Sequence, residues 1–178
     1  MTELITTYYL ELLATGKPCD LPAPPAGFSV IRAQRSGSVN RSLYERVGGD
    51  WHWTDRLIWS DQQWRAYASR PQLETWVASV EGLAAGYFEL DTDGNGNTEI
   101  AYFGLLPAFL GRGLGKHLLC AAIQRAWESG ATRIWVHTCT LDHPHALGNY
   151  LARGFTVYRH EIRPRPAAPL RQENHGVS

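Results

Sequence analysis

The sequence predicts an α+β domain: a mixed, mostly antiparallel sheet with one parallel β-α-β step, flanked by helices. Three observations carry this. The segments "ETWVASVEG" and "LAAGYFELD" are rich in strand formers and meet at a tight Glu81-Gly82 turn, the pattern of an antiparallel hairpin. The strand pattern "TEIAYFGLL" (Thr98–Leu106) is followed by a long helical pattern and then by "RIWVHTC" (Arg133–Cys139). A strand–helix–strand step of this kind joins parallel neighbours by a right-handed crossover. Finally, a chain of 178 residues suits one domain with short tails and buries enough surface to fold without staples.

The elements follow in order. "FSVIRA" (Phe28–Ala33) reads as a strand, and "SVNRSLYERVG" places Val39, Leu43 and Val47 on one side of a helix. Ser60 and Gln63 have the spacing of a capping box that opens a second helix through Trp64, Tyr67 and Ala68. After the hairpin, "DTDGNGN" is a turn into the Thr98–Leu106 strand. The long helix runs from about Gly113 to Ser129, with Leu114, Leu118, Ala122 and Ala126 on one stripe and Gly130 ending it. Pro144 suits the first turn of a short helix ending near Gly154, and "FTVYRHEI" closes the unit as a strand. Residues 1–27 are expected to form an N-terminal extension with a Pro-rich connector, "KPCDLPAPPAG". Residues 28–162 form the domain proper, and 163–178 a flexible tail too polar and Pro-rich to add to a core.

Composition excludes several classes. The formal net charge is zero, which argues against generic nucleic-acid binding. No run of about 18 apolar residues is present to span a membrane. Glu3 and the lack of a basic leader argue against a signal peptide, so a cytoplasmic protein is expected. The three cysteines, Cys19, Cys120 and Cys139, have no framework spacing and read as reduced thiols.

The stretch "LGRGLGKHL" (Leu110–Leu118) lies between a strand and a helix, where free amides and the helix dipole favour an anion. A P-loop needs Gly-x-x-x-x-Gly-Lys-Ser/Thr, but Gly115-Lys116 is followed by His117 and preceded at the required distance by Leu110. A dinucleotide fingerprint needs Gly-x-Gly-x-x-Gly, and Gly115 arrives one residue early. The stretch instead resembles the acyl-CoA loop of the GNAT superfamily of acetyl-CoA-dependent N-acetyltransferases, Gln/Arg-x-x-Gly-x-Gly/Ala. Gly113 and Gly115 match, and Leu110 departs at the first position. A second resemblance lies in "HPHALGNYLARGF". His143, Ala146, Tyr150, Gly154 and Phe155 follow the superfamily's Asn-x-x-Ala-x-x-x-Tyr-x-x-x-Gly-Phe, with His for Asn. The resemblance covers about Phe28 to Ile162 and implies a GNAT-like fold with acetyl-CoA as co-substrate.

It also implies site residues. Phe103, Gly104 and Leu105 match the strand edge along which the pantetheine arm lies, with Gly104 allowing close approach. Gly111, Arg112, Gly113, Leu114, Gly115 and Lys116 match the pyrophosphate cradle, Arg112 and Lys116 adding charge or standing only as solvated residues. Glu99 stands where the histone-acetylating branch carries its general base; the alternative is a solvated strand-end carboxylate. Tyr150 matches the tyrosine that protonates the departing thiolate; the alternative is a core aromatic. The expected reaction is direct acetyl transfer to a primary amine on a small molecule or peptide. A non-catalytic acyl-CoA-binding module, and a partner-binding protein using the Trp-rich segment, are the alternatives. Dimerisation is common in the superfamily, and the tryptophan surplus is compatible with it.

"WHWTDRLIWSDQQW" holds four of the seven tryptophans. Trp59 and Trp64 fit helix entry and packing. Trp51 and Trp53 either stack on the acceptor or build core, and Asp55 or Asp61 suits a cationic acceptor. His137 either lines the acceptor pocket or packs in its strand. "HTCTLDHPH" lacks metal-ligand spacing, so no metal is expected, and "DTDGNGN" lacks the final glutamate of a calcium loop.

Overall fold

The computed structural model describes residues 3–14 and 19–165. Seven strands form one sheet: β1 (Leu4–Leu13), β2 (Phe28–Arg32), β3 (Leu73–Val80), β4 (Leu83–Thr92), β5 (Asn97–Leu105), β6 (Arg133–Cys139) and β7 (Thr156–Pro164). Their order is β2-β3-β4-β5-β6-β1-β7, and only β5 and β6 run parallel. The helices are α1 (Ser38–Gly48), α2 (Asp61–Ala68), α3 (Leu114–Glu128) and α4 (Ala146–Ala152). The expected α+β class, its parallel step and each expected helix are therefore present.

Alternation along β4 sorts the layers. Glu89 meets Asn40 of α1 and Tyr67 of α2 on one face. Phe88, on the other, stacks on Trp76, whose ring lies 4.8 Å beneath the Arg125 guanidinium of α3. The α3 stripe of Leu114, Leu118, Ala122 and Ala126 is buried as its spacing requires. Each leucine so buried is worth roughly 1.5–3 kcal/mol. The capping box of α2 forms in both directions between Ser60 and Gln63.

The chain's ends depart from expectation. Leu4–Leu13, expected to lie outside the domain within 1–27, is a strand inserted between β6 and β7, with Leu10 paired to Val136 on one side and Val157 on the other. The threonines and tyrosines of "LITTYYLELL" suit a pleated strand, but both partners lie more than a hundred residues away, so no local turn announces the pairing. At the other end β7 runs through Pro164, and Arg165 Nη1 donates to Glu3 Oε2 at 2.6 Å, so Arg163 and Pro164 belong to the sheet. Residues 166–178 of the expected tail and 15–18 of the connector fall outside the described residues. The thiol reading is corrected too: Cys19 and Cys120 form a disulfide, and Cys139 is free. Cys19 packs against the core that contains α3, so the fold brings together two cysteines whose spacing gives no hint of it.

Two irregularities open the sheet. Parallel pairing of β5 with β6 runs only from Asn97↔Arg133 to Glu99↔Trp135. Beyond that rung the strands diverge. In addition, the β4–β5 register shifts, so that Glu89 faces Tyr102 while Leu90 faces Ile100. The extra residue, Ala101, is a β-bulge, and it brings Glu99 and Tyr102 onto the same face, that of α1 and α2.

Candidate active site

The divergence of β5 and β6 leaves a cleft of about 850 Å³. The turn before α3 forms one wall. Gly111 and Gly113 both have φ of 71°, a left-handed conformation natural to glycine, and each faces open space. No side chain caps α3, so its first amides stay available to a ligand. Leu110, Gly111, Gly113, Leu114, Gly115 and Lys116 line the cleft. Arg112 is not among the lining residues; its guanidinium lies 5.1 Å over the Phe109 ring. The Leu110 N–H donates to Pro107 O at 3.2 Å, and its side chain packs against the core.

Phe103, Gly104 and Leu105 form the β5 edge of the cleft. A side chain at Gly104 would collide with Val47 of α1. Packing of α1 therefore demands glycine here, a reason different from the close ligand approach expected from sequence. Phe103 packs 6.0 Å from Tyr150, which is only 5% exposed. Burial, and secondarily the charge of Asp142, raise the Tyr150 hydroxyl, so it keeps its proton at neutral pH. Three hydrogen bonds hold the helix that carries it and the turn before that helix. Asn149 Nδ2 donates to Gly115 O at 3.1 Å, and Asp142 accepts from Thr138 Oγ1 at 2.6 Å and from the Cys139 amide at 2.9 Å.

Glu99 also lines the cleft, its side chain 24% exposed. Burial, reinforced by Asp91, pushes its carboxyl up to about 7, while Arg56 and Arg70 pull it back. His137 Nε2 stands 3.9 Å away, beyond hydrogen-bonding distance. Burial lowers the His137 pKa, so the imidazole is neutral at pH 7 and the contact is not an ion pair. His137 thus lines the cleft rather than packing inside the sheet.

Trp51 and Trp53 also line the cleft. Trp51 meets His143 edge-on at 4.9 Å, linking the α1–α2 segment to the loop before α4. Trp53 leans on Tyr44 and Tyr102 at 5.6 and 5.0 Å. Trp59 and Trp64 pack on each other and on Tyr67, as expected, and Tyr44 joins this cluster to Trp53. Between the two candidate aspartates the structure chooses Asp55, which lines the cleft. Asp61 pairs with Arg41 elsewhere on the surface.

Arg56, Asp91, Tyr102 and Asn149 also line the cleft and were not singled out from sequence. Tyr102 and Asp91 had a usable signal, lying on the strands beside Glu99; for Arg56 and Asn149 nothing local gave one. The "DTDGNGN" segment is a hairpin turn, with Asp93 accepting from the Asn95 and Asn97 amides. Among the described residues no group of three or more His, Cys, Asp or Glu is arranged to hold a metal. Nor, among them, is any helix long and apolar enough to cross a membrane.

Known proteins give the same picture. A GCN5-related N-acetyltransferase from Sphaerobacter thermophilus superposes with a TM-score of 0.72 at 15% identity, over 94% of this chain and 54% of that one. One from Kribbella flavida does so with a TM-score of 0.63 at 21% identity, over 91% and 58%. This chain therefore spans little more than half the length of either. An aminoglycoside acetyltransferase from an uncultured soil metagenomic sample superposes with a TM-score of 0.60 at 16% identity, over 72% of this chain and 88% of that one. At these identities the likeness establishes the fold alone. No curated protein matches the chain. The family model of the GNAT acetyltransferases matches residues 40–155, which include α1, the sheet's divergence, the α3 loop and α4. The chain belongs to the GNAT acetyltransferase family.

Proposed function

We propose that the protein transfers an acetyl group from acetyl-CoA directly to a primary amine, with Glu99 as general base and Tyr150 as general acid. The observation that carries this reading is a carboxyl group raised to about 7 in the same cleft as a buried, protonated tyrosine and an uncapped helix start. The residues present fit coenzyme A. The amides of 111–116 suit the pyrophosphate, Lys116 adds a cation, and the unpaired edge of β5 beyond Glu99 offers backbone groups to a pantetheine arm. Bound acetyl-CoA supplies an acetyl thioester, activated toward an amine.

The remaining work falls to the chain. An alkylamine is an ammonium at neutral pH, and freeing its lone pair costs about 4.6 kcal/mol at pH 7 for a group of pKa ~10.4. Glu99, near 7, takes that proton directly or through water. Once Glu99 has passed that proton to solvent, the amine nitrogen bonds to the acetyl carbon and gives Glu99 its second proton, the carbon–sulfur bond breaks, and Tyr150 gives its hydroxyl proton to the sulfur. The tyrosine recovers a proton from solvent. The products are the acetylated amine and free coenzyme A. Backbone N–H groups on the open β5 edge are the available donors for charge on the carbonyl oxygen.

The test is thiol release from acetyl-CoA across an amine panel, paired with calorimetry for coenzyme A. Turnover lost in Glu99→Gln while coenzyme A still binds supports the reading. Tight coenzyme A binding with no turnover on any amine would point to the non-catalytic module.

A further inference from the structure

Negative charge dominates the cleft. Four carboxylates line it, Asp55, Asp91, Glu99 and Asp142, against two Lys or Arg residues, Arg56 and Lys116. Lys116 belongs to the α3 loop. Of the carboxylates, Asp91 is paired with Arg70 at 2.6 Å, and Asp142 is spent on the turn after β6. Glu99 is the candidate base. Arg56 is committed as well: its guanidinium lies 4.0, 4.4 and 4.7 Å from the ring centres of Tyr67, Trp59 and Tyr102.

Asp55 is the least committed. Its side chain is 68% exposed, and its ion pair with Arg56 Nε is a long one, 3.8 Å, beyond hydrogen-bonding distance. Yet its orientation is set. Tyr44 donates its hydroxyl to Oδ1 at 2.6 Å, and Tyr102 donates to Oδ2 at 3.2 Å. Burial raises the pKa of both tyrosines, so they remain neutral donors. Two phenols thus fix the carboxylate without neutralising it. About two of its roughly four acceptor directions stay free. Trp51 and Trp53 line the same cleft, and indole rings attract a cation that reaches their faces.

The distance to the base is set by β5. Glu99 and Tyr102 share a face and pair with Asp91 and Glu89, which are two residues apart on β4, roughly 7 Å of strand at about 3.3 Å per residue. Resting on the reading of Glu99 as base, we propose that Asp55 anchors a second ammonium group, and that the acceptor is a diamine or polyamine whose amino groups are several bonds apart. One nitrogen loses its proton to Glu99 and is acetylated, while the other stays charged at Asp55. A zwitterionic amino acid suits the site poorly, because its carboxylate would enter a cleft already rich in carboxylates.

The experiment uses 1,6-diaminohexane, hexylamine and 6-aminohexanoate. Binding to the coenzyme A-saturated protein is measured by calorimetry, and kcat/KM with acetyl-CoA by thiol release. The diamine is expected to bind roughly tenfold more tightly than hexylamine, as a charge-assisted contact would give. Asp55→Asn brings that ratio to within about twofold, whereas Asp61→Asn keeps it. Raising salt on the native protein shrinks the ratio, which tests the charge contact without any variant. Equal binding of diamine and hexylamine, a ratio that survives Asp55→Asn, or preference for 6-aminohexanoate would overturn the proposal. The last result would assign recognition to Arg56. Diamine binding that depends on Asp55 without thiol release would leave this inference standing and refute acetyl transfer.

Discussion

Glu99 Oε1, on the last paired rung of β5 and β6, stands 3.9 Å from His137 Nε2, two residues beyond that rung on β6. The two groups share a cleft wall without an ion pair, because burial raises the carboxyl and lowers the imidazole. Opening the sheet here sets a carboxyl raised to about 7 beside a neutral imidazole that forms no ion pair with it.

The first expectation concerns the reaction. Glu99→Gln lowers kcat/KM by roughly 10²- to 10⁴-fold, the usual worth of a positioned base. In the native protein kcat/KM rises with pH through about 7 as the carboxylate forms. That limb disappears in Glu99→Gln but persists in His137→Gln, and pH–rate profiles of the three proteins check it.

The same variant has a stability signature of opposite sign. The folded-state carboxyl of Glu99 is raised to about 7 from an unfolded value of 4.5, so the folded state holds the proton more tightly. Between those values each upward step in pH disfavours folding. Glu99→Gln removes that penalty. Its stabilisation over the native protein grows from pH 4.5 to about 7 and then levels off, at a magnitude of ~1–3 kcal/mol once partial exposure is allowed for. Urea melts at several pH values measure it.

Tyr150→Phe keeps the ring that packs on Phe103 and Phe155 and removes only the hydroxyl. Coenzyme A affinity is expected to change less than twofold, while kcat falls roughly 10²-fold. Full turnover would refute the acid role. A parallel fall in affinity would point to packing instead.

The α3 loop makes a sharper distinction than its sequence does. Lys116 lines the cleft, whereas Arg112 lies over Phe109. Lys116→Ala is expected to weaken coenzyme A binding by roughly 1–2 kcal/mol in a salt-sensitive way. Arg112→Ala costs less than about 0.5 kcal/mol, as calorimetry at two ionic strengths checks.

The parts legible in the sequence are those with local signals. The α3 stripe, the Ser60–Gln63 box, the Glu81-Gly82 turn and the Gly111–Gly115 loop each declare themselves within a few residues. Long-range features do not. β1 pairs with strands more than a hundred residues away, and Cys19 meets Cys120 across 101 residues. The bulge at Ala101, which brings Tyr102 to the side of Glu99, leaves no mark in the alternation of "TEIAYFGLL". Asp55 is indistinguishable from Asp61 in sequence, because Tyr44 and Tyr102, 11 and 47 residues away, orient it. The chemistry of Glu99 is of the same kind. Its position is visible beside the loop, but its raised pKa depends on burial and on Asp91 across the β4–β5 pairing.

Steady-state thiol release from acetyl-CoA with a panel of primary amines, run side by side on the native protein and Glu99→Gln, tests the central claim most directly. Amine-dependent release by the native protein, with kcat/KM rising through about pH 7, and its loss in the variant with coenzyme A binding retained, are the expected results. Equal amine-dependent turnover by both proteins would contradict it.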